Sequence, residues 1–122
     1  MHHTPIHFGI PADDVEKLAG FYRGLFGWKI EKAPGPMDYW MIEAAPAGHG
    51  VNGGMMKRQV PQQHILVFFQ VESIDDFAAK ASTLGGSVVM GKHAVPGMGW
   101  FAVCLDPQGN AFAMWQSDPS AA

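Results

Sequence analysis

The sequence predicts an α+β protein built from two tandem βαβββ modules, and two observations lead there. The chain repeats itself: His7-Phe8-Gly9-Ile10, Val15 and Leu25-Phe26-Gly27 are answered by Leu66-Val67-Phe68-Phe69, Ile74 and Leu84-Gly85-Gly86, with Val15/Ile74, Leu25/Leu84 and Gly27/Gly86 each 59 positions apart. Near the end of each half, Pro46-Ala47-Gly48 is answered by Pro107-Gln108-Gly109 at an offset of 61. Within each half, a short apolar run precedes one amphipathic segment, and apolar runs separated by turn residues follow it. A long period present only twice describes one domain of two similar modules, because a solenoid needs more stacked neighbours. The expected organisation is a single domain over residues 1–122, with module one at about 5–58 and module two at about 63–117.

Taken in order, Ile6 to Ile10 reads as a strand that Pro11 ends. Asp13 or Asp14 offers an N-cap for a helix whose apolar stripe is Val15, Leu18, Ala19, Tyr22 and Leu25-Phe26, and Gly27 stops it. Strands are expected at Trp28–Lys32, Tyr39–Ala44 and Val51–Met56. The second module repeats the plan. Ile65–Val71 is a strand, Ser73 caps a helix with Ile74, Phe77, Ala78, Ala81 and Leu84 on one face, and Gly85-Gly86 closes it. Ser87–Met90, Trp100–Leu105 and Ala111–Gln116 follow as strands, the last two joined by the turn Asp106-Pro107-Gln108-Gly109. Residues 34–38 and 94–99, rich in Pro and Gly, read as mobile loops, and His2 and His3 as part of a fraying terminus.

Composition narrows the function classes. The 122 residues are 48% hydrophobic, enough for one core. The net charge is -3 and the basic residues are scattered, which argues against nucleic acid as a partner. The apolar run Ile65–Phe69 is far short of the roughly 20 residues that span a bilayer, so no membrane is expected and the cytoplasm is the expected location. Cys104 is the one cysteine and sits between apolar neighbours, which predicts a buried, inert thiol. The acidic pairs Asp13-Asp14 and Asp75-Asp76 fall at helix starts, where capping and the helix dipole explain them.

The pattern His7-Phe8-x-Ile10-Pro11-x-Asp13-Asp14, then Phe21-Tyr22-x-x-Leu25-Phe26-Gly27-Trp28, then Phe101-Ala102-Val103-x-x-Asp106-Pro107-x-Gly109-x-x-Phe112-x-x-Trp115-Gln116 resembles the vicinal oxygen chelate superfamily. That superfamily holds glyoxalase I, the extradiol dioxygenases, and the fosfomycin and bleomycin resistance proteins. The resemblance covers about His7 to Gln116. It implies an open, barrel-like mixed sheet around a cleft with the helices outside. It also implies, in the catalytic members, one divalent metal held by His, Gln and Glu on the first and last strands of each module. Those positions fall here on His7, on Leu66, near Ala113, and within Asn52 to Gly54. Leucine and alanine have no lone pair to give, and Asn52 is a neutral donor, so the resemblance implies an incomplete metal site. His64, two residues before Leu66, and Glu43 are the further metal candidates beside His7. Zn, Fe, Ni or Mn is the ion such a set would take.

The ligand-binding cleft is expected to use His7, Tyr39, Trp40, His64, Leu66, Phe68, Trp100, Ala113 and Gln116. The aromatic groups and the eight methionines supply adaptable apolar surface, and the polar groups orient a ligand. His49 and His93 are expected at the surface, outside it. The sequence thus reads as a glyoxalase-like protein that binds a small organic molecule in an apolar cleft with no resident cofactor, similar in logic to the bleomycin resistance proteins. The alternative is a metal-dependent lyase, isomerase or dioxygenase of the lactoylglutathione lyase type. A homodimer is expected, because a closed two-fold pairing covers exposed sheet edges.

Overall fold

The computed structural model describes residues 2–34, 38–46, 48–59, 61 and 63–122. Residues 35–37 of the proposed loop at 34–38 lie outside the described residues. The element order is β1 (Pro5–Ala12), α1 (Val15–Phe26), β2 (Lys29–Lys32), β3 (Tyr39–Glu43), β4 (Gly53–Lys57), β5 (Leu66–Gln70), α2 (Ile74–Thr83), β6 (Ser87–Val95), β7 (Gly99–Leu105) and β8 (Ala111–Ser117). The architecture is α+β, with the βαβββ order occurring twice. The chain forms two compact units, His7–Ile65 and Leu66–Ala122 with the N-terminal residues through Ile6.

In the first unit the strands lie in the order β2-β3-β4-β1, with β1 parallel to β4 and the other pairs antiparallel. The Asp14 side chain caps α1 by accepting from Lys17 N at 3.1 Å, and Gly27 ends it at φ 71°, a left-handed conformation that glycine adopts without a Cβ penalty. The helix buries Val15 and Ala19 against Ile10, Ala12, Ile30, Trp40, Ile42 and Met55. β1 runs two residues past the expected stop. Pro11 pairs in register with Met56 on the parallel partner, although proline brings no N–H to the ladder.

In the second unit the order is β5-β8-β7-β6, with β5 parallel to β8. Ser73 caps α2 by accepting from Asp76 N at 3.2 Å, and Val71, Ile74, Ala102, Cys104 and Met114 form the core beneath the helix. The turn before β8 is held by Asp106, whose carboxylate accepts from Gln108 N and Asn110 N at 2.9 Å each. β6 is longer than expected, reaching Val95 through two register irregularities between Val88 and His93. Bulges of this kind let a strand continue past Gly91 and Lys92, where periodicity breaks down. The loop expected at 94–99 therefore shrinks to a turn at 96–98. The N-terminal segment is also placed: Thr4 O accepts from Gln70 N at 3.1 Å, and the His3 ring meets Glu72 Oε1 at 2.7 Å and lies 4.8 Å from the Phe77 ring.

Candidate functional site

Side-chain alternation gives the sheet of each unit one face toward its helix and one open face. In β1, Phe8, Ile10 and Ala12 join the α1 side, which leaves His7, Gly9 and Pro11 on the open face. The register of Gly9 with Gly54, Tyr39 with Met56 and Met41 with Gly54 adds Gly54, Met56, Tyr39, Met41 and Glu43 to it. Gly54 is what makes this arrangement fit. A Cβ there would lie 1.7 Å from Tyr39 Oη and 2.0 Å from its Cζ, so the tyrosine ring lies directly across the glycine. The phenol oxygen then sits 2.8 Å from His7 Nε2. Gly53 performs the same service on the helix side, where a Cβ would meet Phe8 O at 2.5 Å and the Phe8 ring at 2.6 Å.

Both members of the His7–Tyr39 pair are half-buried. Burial lowers the His7 pKa and pushes that of Tyr39 up to about 12, so at neutral pH the pair is an uncharged imidazole beside an uncharged phenol. A hydroxyl accepts and donates at once, so the pair can present a donor or an acceptor to a ligand oxygen. Met41, 57% exposed, flanks it with soft apolar surface.

The open face of the second unit is aromatic. Phe68 and Phe101 have ring centroids 6.3 Å apart, His93 lies 5.7 Å from Phe101, and Phe68 pairs in register with Ala113. The Trp115 ring covers Gly99, where a Cβ would meet it at 2.6 Å, and its indole donates to Ser117 Oγ at 3.0 Å. Leu66 shares the strand parity of Phe68.

The structure places the remaining sequence-predicted residues elsewhere. Trp40 points to the α1 side, where its indole donates to Glu16 at 3.2 Å. Trp100 packs beneath α2 and donates to Asp118 at 3.0 Å, and Gln116 Oε1 accepts from Ile74 N at 2.9 Å at the helix start. All three have helix-side parity and find their hydrogen-bond partners there. His64 lies outside β5 and is exposed, lining a polar hollow with Asp13, Arg58, Gln59 and Pro61, in which Arg58 donates to Asp13 at 3.0 Å. His93 is exposed, as expected, although it lies within β6 with its ring facing Phe101. Glu43 is exposed at the far end of β3 from Tyr39.

The strand registers also fix the positions at which a superfamily metal would be held. Gly9 pairs with Gly54, and Phe68 with Ala113, so both partners shift by the same 59 positions and Gly54 is the counterpart of Ala113. The four positions are therefore His7, Leu66, Gly54 and Ala113, of which one carries a donor. Among the described residues no group of three His, Cys, Asp or Glu side chains could hold a metal ion, so His7, His64 and Glu43 do not assemble into one. Tyr39 adds a phenol hydrogen-bonded to His7, and no carboxylate, to that set. The donor set does not fit a divalent cation.

The sequence model of the glyoxalase/bleomycin resistance protein/dioxygenase superfamily matches residues 4–114. The chain belongs to this superfamily. Two similar proteins are the anthracycline biosynthesis protein DnrV of Streptomyces peucetius, 33% identical over 93% of this chain and 46% of that protein, and a Mycobacterium tuberculosis protein named "Putative glyoxylase CFP32", 39% identical over 88% of this chain and 41% of that protein. The chain spans less than half the length of these relatives. Among solved structures, methylmalonyl-CoA epimerase of Mycobacterium tuberculosis superposes with a TM-score of 0.68 at 11% identity, covering 94% of this chain and 88% of that one, which shows a shared fold. No described helix is long and apolar enough to cross a membrane. The pairing of His7 with Tyr39 escaped the sequence, although two adjacent glycines inside a strand are the usual sign of close approach by another group.

Proposed function

We propose that this superfamily member binds a small, oxygen-bearing organic molecule on the face that carries His7 and Tyr39, without the divalent metal of the catalytic members. The observation that carries the reading is the Tyr39 ring seated over Gly54 with its hydroxyl on His7: at that position the chain has a neutral hydrogen-bonding pair in place of an acidic ligand. The methionines beside the pair support an apolar ligand. The name of the Streptomyces peucetius relative, a protein of anthracycline biosynthesis, supports the same class. In this reading residues 1–122 act as one domain, in the cytoplasm and as a homodimer. The second reading is a metal-dependent lyase, isomerase or dioxygenase, favoured by the name of the mycobacterial relative and by His7 at a metal-ligand position.

Elemental analysis of protein purified without added metal or chelator, followed by calorimetric titration with Zn, Ni and Mn, separates the two. The proposal expects substoichiometric metal and no saturable site that depends on His7. One bound metal per chain that disappears in His7→Ala would establish the second reading.

A further inference from the structure

The geometry points to Tyr39, rather than His7, as the residue that donates the specifying hydrogen bond to the ligand, and to a neutral aromatic ketone as the ligand class. The inference rests on the reading above that this face binds a small molecule. The His7 Nε2 atom is 2.8 Å from the phenol oxygen, so one of its two nitrogens is already committed to Tyr39. The inference assigns the imidazole proton to Nε2, so that the phenol oxygen accepts it and the phenol's own hydrogen is turned to the open face. His7 is then a positioning residue, and Tyr39 is the contact. The ring cannot settle elsewhere without vacating the groove that Gly54 leaves for it.

The charges of the face select a neutral partner. Among the described residues its charged groups are Lys29, Glu31 and Glu43, and Lys29 Nζ is 3.9 Å from Glu31 Oε1. Lys29 also pairs in register with Glu43, at the opposite end of β3 from Tyr39. Lys32 is drawn to the helix side, 5.6 Å from the centroid of the Trp40 ring, and Arg58 is tied to Asp13 at 3.0 Å. Among the described residues Lys29, Lys32 and Arg58 are each paired with a carboxylate, that of Glu31, Asp38 and Asp13, and a ligand carboxylate would meet a face that is net acidic. A ketone oxygen accepts one hydrogen bond without bringing charge. The thioethers of Met41 and Met56, the register partners of Gly54 and Tyr39, offer contact surface suited to a flat aromatic body.

The test compares 9-fluorenone with fluorene, two rigid aromatic molecules that differ in the ketone oxygen, by fluorescence and calorimetric titration. The wild-type chain is expected to prefer fluorenone by about threefold to tenfold, the range one neutral hydrogen bond supplies. Tyr39→Phe removes that preference, so that the folded variant binds the two probes equally. Gly54→Ala, which forces the ring aside while both partners remain in the chain, removes it too. His7→Ala reduces the preference without abolishing it. Equal binding of the two probes by the wild-type chain, a preference that survives in Tyr39→Phe, or failure to bind either probe overturns the inference. None of these results bears on metal content, so the elemental analysis still decides the broader reading separately.

Discussion

His7 makes stability depend on acid. Burial holds its pKa below the ordinary value of 6.5, so as pH falls the unfolded chain takes up a proton before the folded one does. The stability attached to neutral His7 is complete above about pH 6.5 and is lost progressively below it. Urea unfolding of the wild type and of His7→Gln at about pH 7.5 and about pH 5.5 should show the wild type losing more stability between the two, and a pH-independent difference would contradict the assigned environment. Tyr39 works in the opposite direction. Its phenol, pushed up to about 12, keeps its proton in the folded chain while the unfolded chain loses one near 10, so stability declines as pH rises above that point. Cys104 is fully buried and its thiol is pushed up by desolvation, as expected from its apolar neighbours. It should react with a disulfide reagent only when the protein is unfolded, and rapid labelling of the native chain would place it elsewhere.

At the scale of elements, the glycines divide into those that admit a neighbour and those that do not. At Gly20 in α1 a methyl group would meet nothing within 4 Å, so Gly20→Ala should stabilise the helix by about 0.5–1 kcal/mol. At Gly53 it would strike the Phe8 carbonyl, a backbone atom on the neighbouring strand, so Gly53→Ala should cost about 1–3 kcal/mol. Chemical denaturation of both variants checks the pair, and the same sign for both would refute the packing. The helices were legible in advance because their signals are local: Asp14 and Ser73 cap within three residues, and Gly27 terminates at its own position. Strand parity was legible too, yet a ring count hides it. Trp40 alternates with Ile42 toward α1, whereas Tyr39 and Met41 alternate toward the open face, so collecting aromatic residues into one cleft overrides the period-2 rule. The His7–Tyr39 pair joins residues 32 positions apart through the pairing of three strands, and such a contact exists only once the registers are set.

For the whole molecule, the duplicated plan and its 59-residue offset were visible from the repeat, and the strand pairings carry that offset through to Gly54 and Ala113. Ala113 is 0% exposed and pairs with Phe68, so Ala113→Glu places an unpaired carboxylate among apolar groups and should cost a few kcal/mol, on the order of the penalty for burying a polar group without a partner. Leu66 is only half-buried, and Leu66→Glu should cost less. Melting temperatures of the two variants order these effects, and equal values would mean that the open face is wetter than its side chains imply. The homodimer expectation is checked by light scattering at micromolar concentration, where a monomer mass would remove it.

The proposed recognition rests on a neutral His–Tyr pair in a superfamily whose catalytic members use a metal. The most direct measurement is the affinity of the wild-type chain for 9-fluorenone in excess chelator and again with added Zn. Equal affinities in the two conditions are the predicted result. Binding that appears only when Zn is present would contradict it.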